Sequence, residues 1–131
     1  MFATPVPVAA DFFARLRVQD AAFSAGLPAT LACLAALHDP ARPIPTPAAS
    51  NELQRQLHTL AGCAATFGYR RLGQEARALE QRLRVLQAFD NVPPVDWTDW
   101  FTQLFGLIAW ASADPCRCSL PGAGAAALQL P

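Results

Sequence analysis

The stretch HTLAGCAATFGYRRLGQEARALE, from His58 to Glu80, holds the residues of this chain best suited to chemistry. Imidazole is neutral in good part at physiological pH, so one ring nitrogen offers a lone pair while the other keeps its proton. Helical spacing puts Leu53, Leu57, Leu60, Ala64 and Phe67 on one apolar seam, at intervals of four and three. His58 stands one step of about 100° from Leu57, at the edge of that seam. Gln54, Arg55, Ala61, Gly62 and Ala65 share its face. Bulk is therefore stripped away on the C-terminal side of the ring, and a large reactant has access to it.

The elements that must position this ring follow from the rest of the pattern. Residues 1–7 form a proline-bearing lead-in, and a short helix is expected from Val8 with Phe12, Phe13 and Leu16 on one side. A second helical pattern runs through Phe23, Leu27, Leu31, Leu34 and Leu37, with Pro28 expected in a first turn or at a kink. Asp39 to Pro47 carries four prolines and is a connection. Ser50 or Asn51 is the expected N-cap of the helix holding His58, and Gly68 ends it or marks a tight turn. The next seam is Leu72, Ala76, Leu79, Leu83 and Leu86. The joint is so short that the two helices should form an antiparallel hairpin. One step past that seam runs a polar stripe, Gly73, Arg77, Glu80 and Arg84, on the flank that His58 occupies. After a break at Asn91 to Pro94, Asp96 or Thr98 should cap a closing helix with Trp97, Trp100, Phe101, Leu104, Leu107, Ile108 and Ala111 inward. Phe105 and Trp110 fall off that seam and are expected to pack around Phe12 and Phe13, with an exposed patch for a partner or a second copy of the chain as the alternative. No window alternates as a strand. The fold class is all-α, an antiparallel four-helix bundle with a short extra N-terminal helix, over residues 8–114, with flexible tails at 1–7 and 115–131.

Composition narrows the function classes. With 53% hydrophobic and 15% charged residues the chain is a compact globular protein rather than a disordered one. A formal net charge of zero gives no electrostatic footprint for nucleic acid or anionic membrane. No uncharged apolar stretch reaches bilayer length and no leader pattern opens the chain, so a soluble, cytoplasmic protein is expected. All ten basic residues are arginines. Those at 70, 71, 77, 82 and 84 read mainly as a solvated face, with a minority serving a partner. Cys33 and Cys63 lie within helical periodicity and are expected as small buried hydrophobes. Cys116-x-Cys118 lacks further ligands at zinc spacing, so no metal site is expected. His38 closes a helix before Asp39-Pro40 and is assigned no chemistry.

His58-x-Leu60-x-Gly62, followed by Phe67-Gly68, Leu72 and Leu79-Glu80, resembles the signature of histidine-phosphotransfer (HPt) domains. The resemblance extends over roughly residues 8–112. It implies a four-helix bundle with one exposed histidine. That histidine accepts a phosphoryl group from the aspartate of one receiver domain and passes it to another, without using ATP. Carried onto this chain, His58 is the phosphoacceptor, and Gly62 keeps room beside it. Glu80 is then the candidate acceptor that holds the second ring nitrogen as N–H.

The family usually has lysine three residues after the histidine; this chain has Ala61. Losing that contact should cost the phosphohistidine about 1 kcal/mol. Arg84, Arg77 or Arg55 would substitute, since the guanidinium fork matches phosphate oxygens. The receiver is expected to dock on Gln54, Ala61, Gly62 and Ala65, through a modest, transient interface. The expectation is a monomeric, stand-alone shuttle between receiver domains of a hybrid sensor kinase and of a response regulator. It has no cofactor of its own, and Mg²⁺ arrives with the receiver. The rival reading is an adaptor or phosphate sink that binds receivers but transfers poorly, and Ala61 is the feature that favours it.

Overall fold

The computed structural model describes residues 5–113, with side chains from Asp11 onward. Four helices follow one another: α1 (Pro5–Ala36), α2 (Pro47–Thr66), α3 (Arg70–Ala88) and α4 (Pro94–Ala113). They pack in a ring, each against the helices before and after it, and α2 with α3 is the most intimate pair. The core draws Leu27, Leu31 and Leu34 from α1 and Leu53, Leu57, Leu60 and Ala64 from α2. From α3 come Leu72, Ala76, Leu79 and Leu83, and from α4 Trp97, Trp100, Phe101, Leu104, Leu107 and Ala111. Each fully buried leucine contributes about 1.5–3 kcal/mol, so these four stripes hold the ring together.

α1 differs from expectation. It is one continuous helix of 32 residues, with Pro28 inside it and no separate leading helix. Pro28 is exposed while Leu27 and Leu31 on either side of it are buried. The single backbone bond that proline forfeits therefore falls on the solvent side, and leucine packing on both sides carries the helix through. The helix already includes Pro5 to Pro7, inside the expected lead-in, whereas the tail from residue 115 lies outside the described residues.

The capping residues also differ. Thr46 caps α2: its Oγ1 accepts the Ala49 N–H at 3.1 Å, with Pro47 in the first turn. Ser50, an expected cap, is instead buried, and its Oγ receives the Gln87 amide at 2.6 Å. α4 starts at Pro94, so Asp96 sits in its first turn, where a carboxylate suits the helix dipole. Thr98, one turn in, returns its hydroxyl to the Pro94 carbonyl at 3.2 Å.

The α2–α3 joint is the turn expected at Gly68, which has φ +87°. Its N–H bonds to the Ala65 carbonyl at 3.4 Å, and that of Tyr69 to Ala64 at 2.8 Å, which closes the last turn in a Schellman motif. Tyr69 ties this turn to α1, with its hydroxyl 3.0 Å from Ser24 Oγ and its ring 5.2 Å from that of Phe23.

Phe105 and Trp110 do not pack around Phe12 and Phe13. Phe105 meets the ring of His38 at 5.1 Å, and Trp110 lies under the Arg71 guanidinium at 5.8 Å. Phe12 and Phe13 stay more than half exposed, edge to face on each other. Cys33 is exposed and Cys63 half-buried, not interior, because Cys33 falls one helical step off the leucine stripe of α1.

Candidate functional site

His58 sits midway along α2, and its side chain is 72% exposed. The hairpin folds α3 alongside it, so that Glu80 comes from below with only 7% of its side chain exposed. His58 Nδ1 lies 3.2 Å from Glu80 Oε2 and 3.3 Å from Oε1. A carboxylate can only accept there, so Nδ1 carries the proton and the lone pair is left on Nε2. Arg84, one turn further along α3, donates to the same Oε2 from Nη2 at 2.9 Å and from Nε at 3.3 Å. Two residues, His58 from α2 and Arg84 from α3, thus meet on one nearly buried carboxylate.

Two interior features hold Glu80 at this height. A Cβ added at Gly73 would lie 3.2 Å from the Ala61 carbonyl oxygen and 3.3 Å from the Ala65 nitrogen, so α3 rests directly on the α2 backbone just past His58. Gly73 and Glu80 are seven residues apart and share one face of α3. On the other side, the Trp100 indole of α4 donates to the Leu79 carbonyl at 3.0 Å, inside the core and next to Glu80. Sequence reasoning placed Gly73 only in a polar stripe and Trp100 only in the core. A glycine inside an otherwise regular helical pattern was the available sign of close backbone approach.

The other expected site residues divide. Gly62 and Ala65 are exposed beside the ring and Gln54 is half-buried. Ala61 is 2% exposed and does not belong to an accessible docking surface. It turns about 60° from His58 toward α3, and its carbonyl is the atom on which Gly73 rests. Arg55 turns to the opposite flank and is bonded by Glu52, its guanidinium Nε 2.9 Å from Oε1. That guanidinium, and after it the Gln56 amide, holds the Glu52 carboxyl down to about 2. Arg77 is exposed and makes no ion pair among the described residues. A Cβ at Gly62 would meet nothing within 4 Å, so the space beside the imidazole is open. Among the described residues no group of three His, Cys, Asp or Glu could hold a metal ion, and Cys116 and Cys118 lie outside them. No described helix is long and apolar enough to cross a membrane.

These features define a class: helical bundles that hold one imidazole at the surface, with its tautomer set from beneath by a carboxylate. A family model for the Hpt domain matches residues 17–105, and the chain belongs to that family. Hpt domains are the phosphotransfer carriers of two-component phosphorelays, meet receiver domains there, and are not kinases. No curated protein and no solved structure gives a significant match.

Proposed function

We propose that this chain is a phosphorelay intermediate that takes a phosphoryl group onto His58 Nε2 from a receiver aspartate and returns it to a second receiver. The supporting observation is the pairing of an exposed imidazole with a nearly buried carboxylate on its Nδ1 side. The Nε2 lone pair attacks phosphorus, the aspartyl P–O bond breaks, and its electron pair leaves on the receiver carboxylate. The ring becomes cationic with Nδ1–H retained, and Glu80 stabilises that charge. In the return step a carboxylate oxygen of the second receiver's aspartate attacks phosphorus, the N–P bond breaks and its pair goes back to Nε2. A neutral imidazole departs, which is a far better leaving group than the anionic ring. Positioning and charge stabilisation supply most of such a transfer. Mg²⁺ would come from the acidic pocket of the receiver.

Gly62 adds support. A glycine inside a helix costs about 1 kcal/mol relative to alanine, and no neighbour fills the space where its Cβ would be. Folding does not require it, whereas an incoming receiver does. The docking face is the exposed strip of Gly62 and Ala65 with Gln54 at its margin, and the chain acts as a monomer. Arg84 is engaged by Glu80 on the Nδ1 side of the ring and Arg55 by Glu52, so either must leave its carboxylate to reach a phosphoryl group on Nε2, whereas Arg77 makes no ion pair among the described residues.

The test is incubation with a phosphorylated receiver while following an acid-labile, base-stable label. Transfer should occur and be abolished by His58→Gln. One observation favours the adaptor reading instead: Ala61 supplies no cation and is buried. In that case a phosphorylated receiver would bind and keep its label.

A further inference from the structure

Glu80 poses a problem that the phosphoacceptor reading alone leaves unsolved. Its carboxylate is nearly out of water, and a buried charge demands a partner. Were His58 the sole partner, two outcomes would compete, and both would disable the ring. The imidazole could take up a second proton, which removes the Nε2 lone pair. Alternatively the carboxyl could protonate and donate to Nδ1, which sets the wrong tautomer. Arg84 removes the dilemma. Its guanidinium is permanently charged and lies 2.9 Å from Oε2, the same oxygen that faces Nδ1 at 3.2 Å.

We propose that Arg84 is a positioning residue whose task is to moderate Glu80: by sharing Oε2 with the ring, it draws on the carboxylate's charge and leaves the Nε2 lone pair free to react. The inference rests on His58 being the phosphoacceptor, although the proton equilibrium it describes exists in the unphosphorylated protein. Few charges face the cluster. From α3 come Glu80, Arg84 and, three residues before Glu80, the exposed Arg77. From α2 the nearest is Arg55, held by Glu52. α4 backs it with the neutral Trp100 indole, and α1 makes no hydrogen bond or ion pair to it among the described residues. Arg84 is therefore the cation that balances the carboxylate. This role differs from clamping the transferred phosphoryl group, and the two separate experimentally.

Removing Arg84 leaves Glu80 free to favour the protonated ring, so Arg84→Gln should raise the midpoint of the His58 ring titration above that of the parent protein. Below that midpoint fewer rings are neutral, and the acid limb of the transfer rate should move with it. Removing the carboxylate as well should cancel the effect. The double variant Glu80→Gln/Arg84→Gln, whose amide oxygen still accepts from Nδ1–H, should return the midpoint to the parent position. Arg84→Lys should leave it there. NMR of the His58 ring in the unphosphorylated protein reads all four proteins, with thermal melts confirming that each is folded. An unmoved midpoint in Arg84→Gln overturns the proposal, and so does a double variant that stays raised. A loss of transfer that is uniform across pH would make Arg84 a phosphoryl clamp instead. If His58→Gln still takes label, the phosphoacceptor reading fails, yet the ring titration continues to report on Arg84.

Discussion

Gly73 is where packing and chemistry are most tightly coupled, and substituting it tests both. An added methyl would lie 3.2 Å from the Ala61 oxygen, 3.3 Å from the Ala65 nitrogen and 3.7 Å from the Ala64 Cβ. The two closest atoms are helix backbone in the last turns of α2 and cannot swing aside, so α3 must back away by a few tenths of an ångström. Two free-energy terms then oppose each other in Gly73→Ala. Alanine in place of a helical glycine gains about 1 kcal/mol, while overpacking a close contact costs about 1–3 kcal/mol. The net expectation is a destabilisation of about 0–2 kcal/mol, small for the size of the rearrangement. The site should respond more strongly. Glu80 lies two turns further on the same face, and its distances of 3.2 and 3.3 Å to Nδ1 are already at the long end for a hydrogen bond. Backing off by a few tenths breaks that bond and releases the tautomer. Urea denaturation gives the stability, and ring nitrogen chemical shifts give the tautomer. A variant stabilised by the full helix-propensity gain, with the His58 tautomer unchanged, would refute the close-approach reasoning.

Three further outcomes follow from other contacts. Trp100→Phe removes the indole N–H that serves the Leu79 carbonyl and leaves unfilled volume in the core. It should cost about 1–3 kcal/mol in denaturant melts. Thr46→Ala uncaps α2 and should cost about 1 kcal/mol by the same assay, without moving the His58 ring signals. The Glu52 carboxyl, held down to about 2 chiefly by the Arg55 guanidinium, should titrate closer to its ordinary 4.5 in Arg55→Gln. Because the folded value is the lower one, any stabilisation from this exposed pair is in place above about pH 4.5 and is lost as pH falls toward 2. Carboxyl carbon NMR titration reads the shift, and added salt should shrink the difference.

The heart of the site was legible in the sequence because two strong local signals coincide there. Apolar periodicity on both sides of Gly68 specifies two helices, and the glycine specifies a tight reversal. Together they bring positions 58 and 80 to the same flank. What escaped the sequence depends on tertiary contacts. Pro28 reads as a boundary by local rules, but buried leucines on either side extend α1 through it. Ser50 has the chemistry of a cap, yet its hydroxyl is engaged by Gln87, 37 residues away. Ala61 shares a helix face with His58 on a wheel projection. Only the arrival of Gly73 shows that this edge of the face is covered. Phe105 and Trp110 lie recognisably off the main seam, but their partners are His38, in the connection after α1, and Arg71, in the first turn of α3, whose placement no local pattern encodes.

The central claim concerns one atom. Glu80 occupies the Nδ1 side of His58, so phosphorylation should fall on Nε2 alone. Phosphorus NMR of the protein after incubation with a phosphorylated receiver, supported by site mapping, distinguishes the two phosphoimidazole isomers. The account predicts a single acid-labile signal from the Nε2 isomer, lost in His58→Gln. A signal from the Nδ1 isomer, or from any residue other than His58, would contradict it.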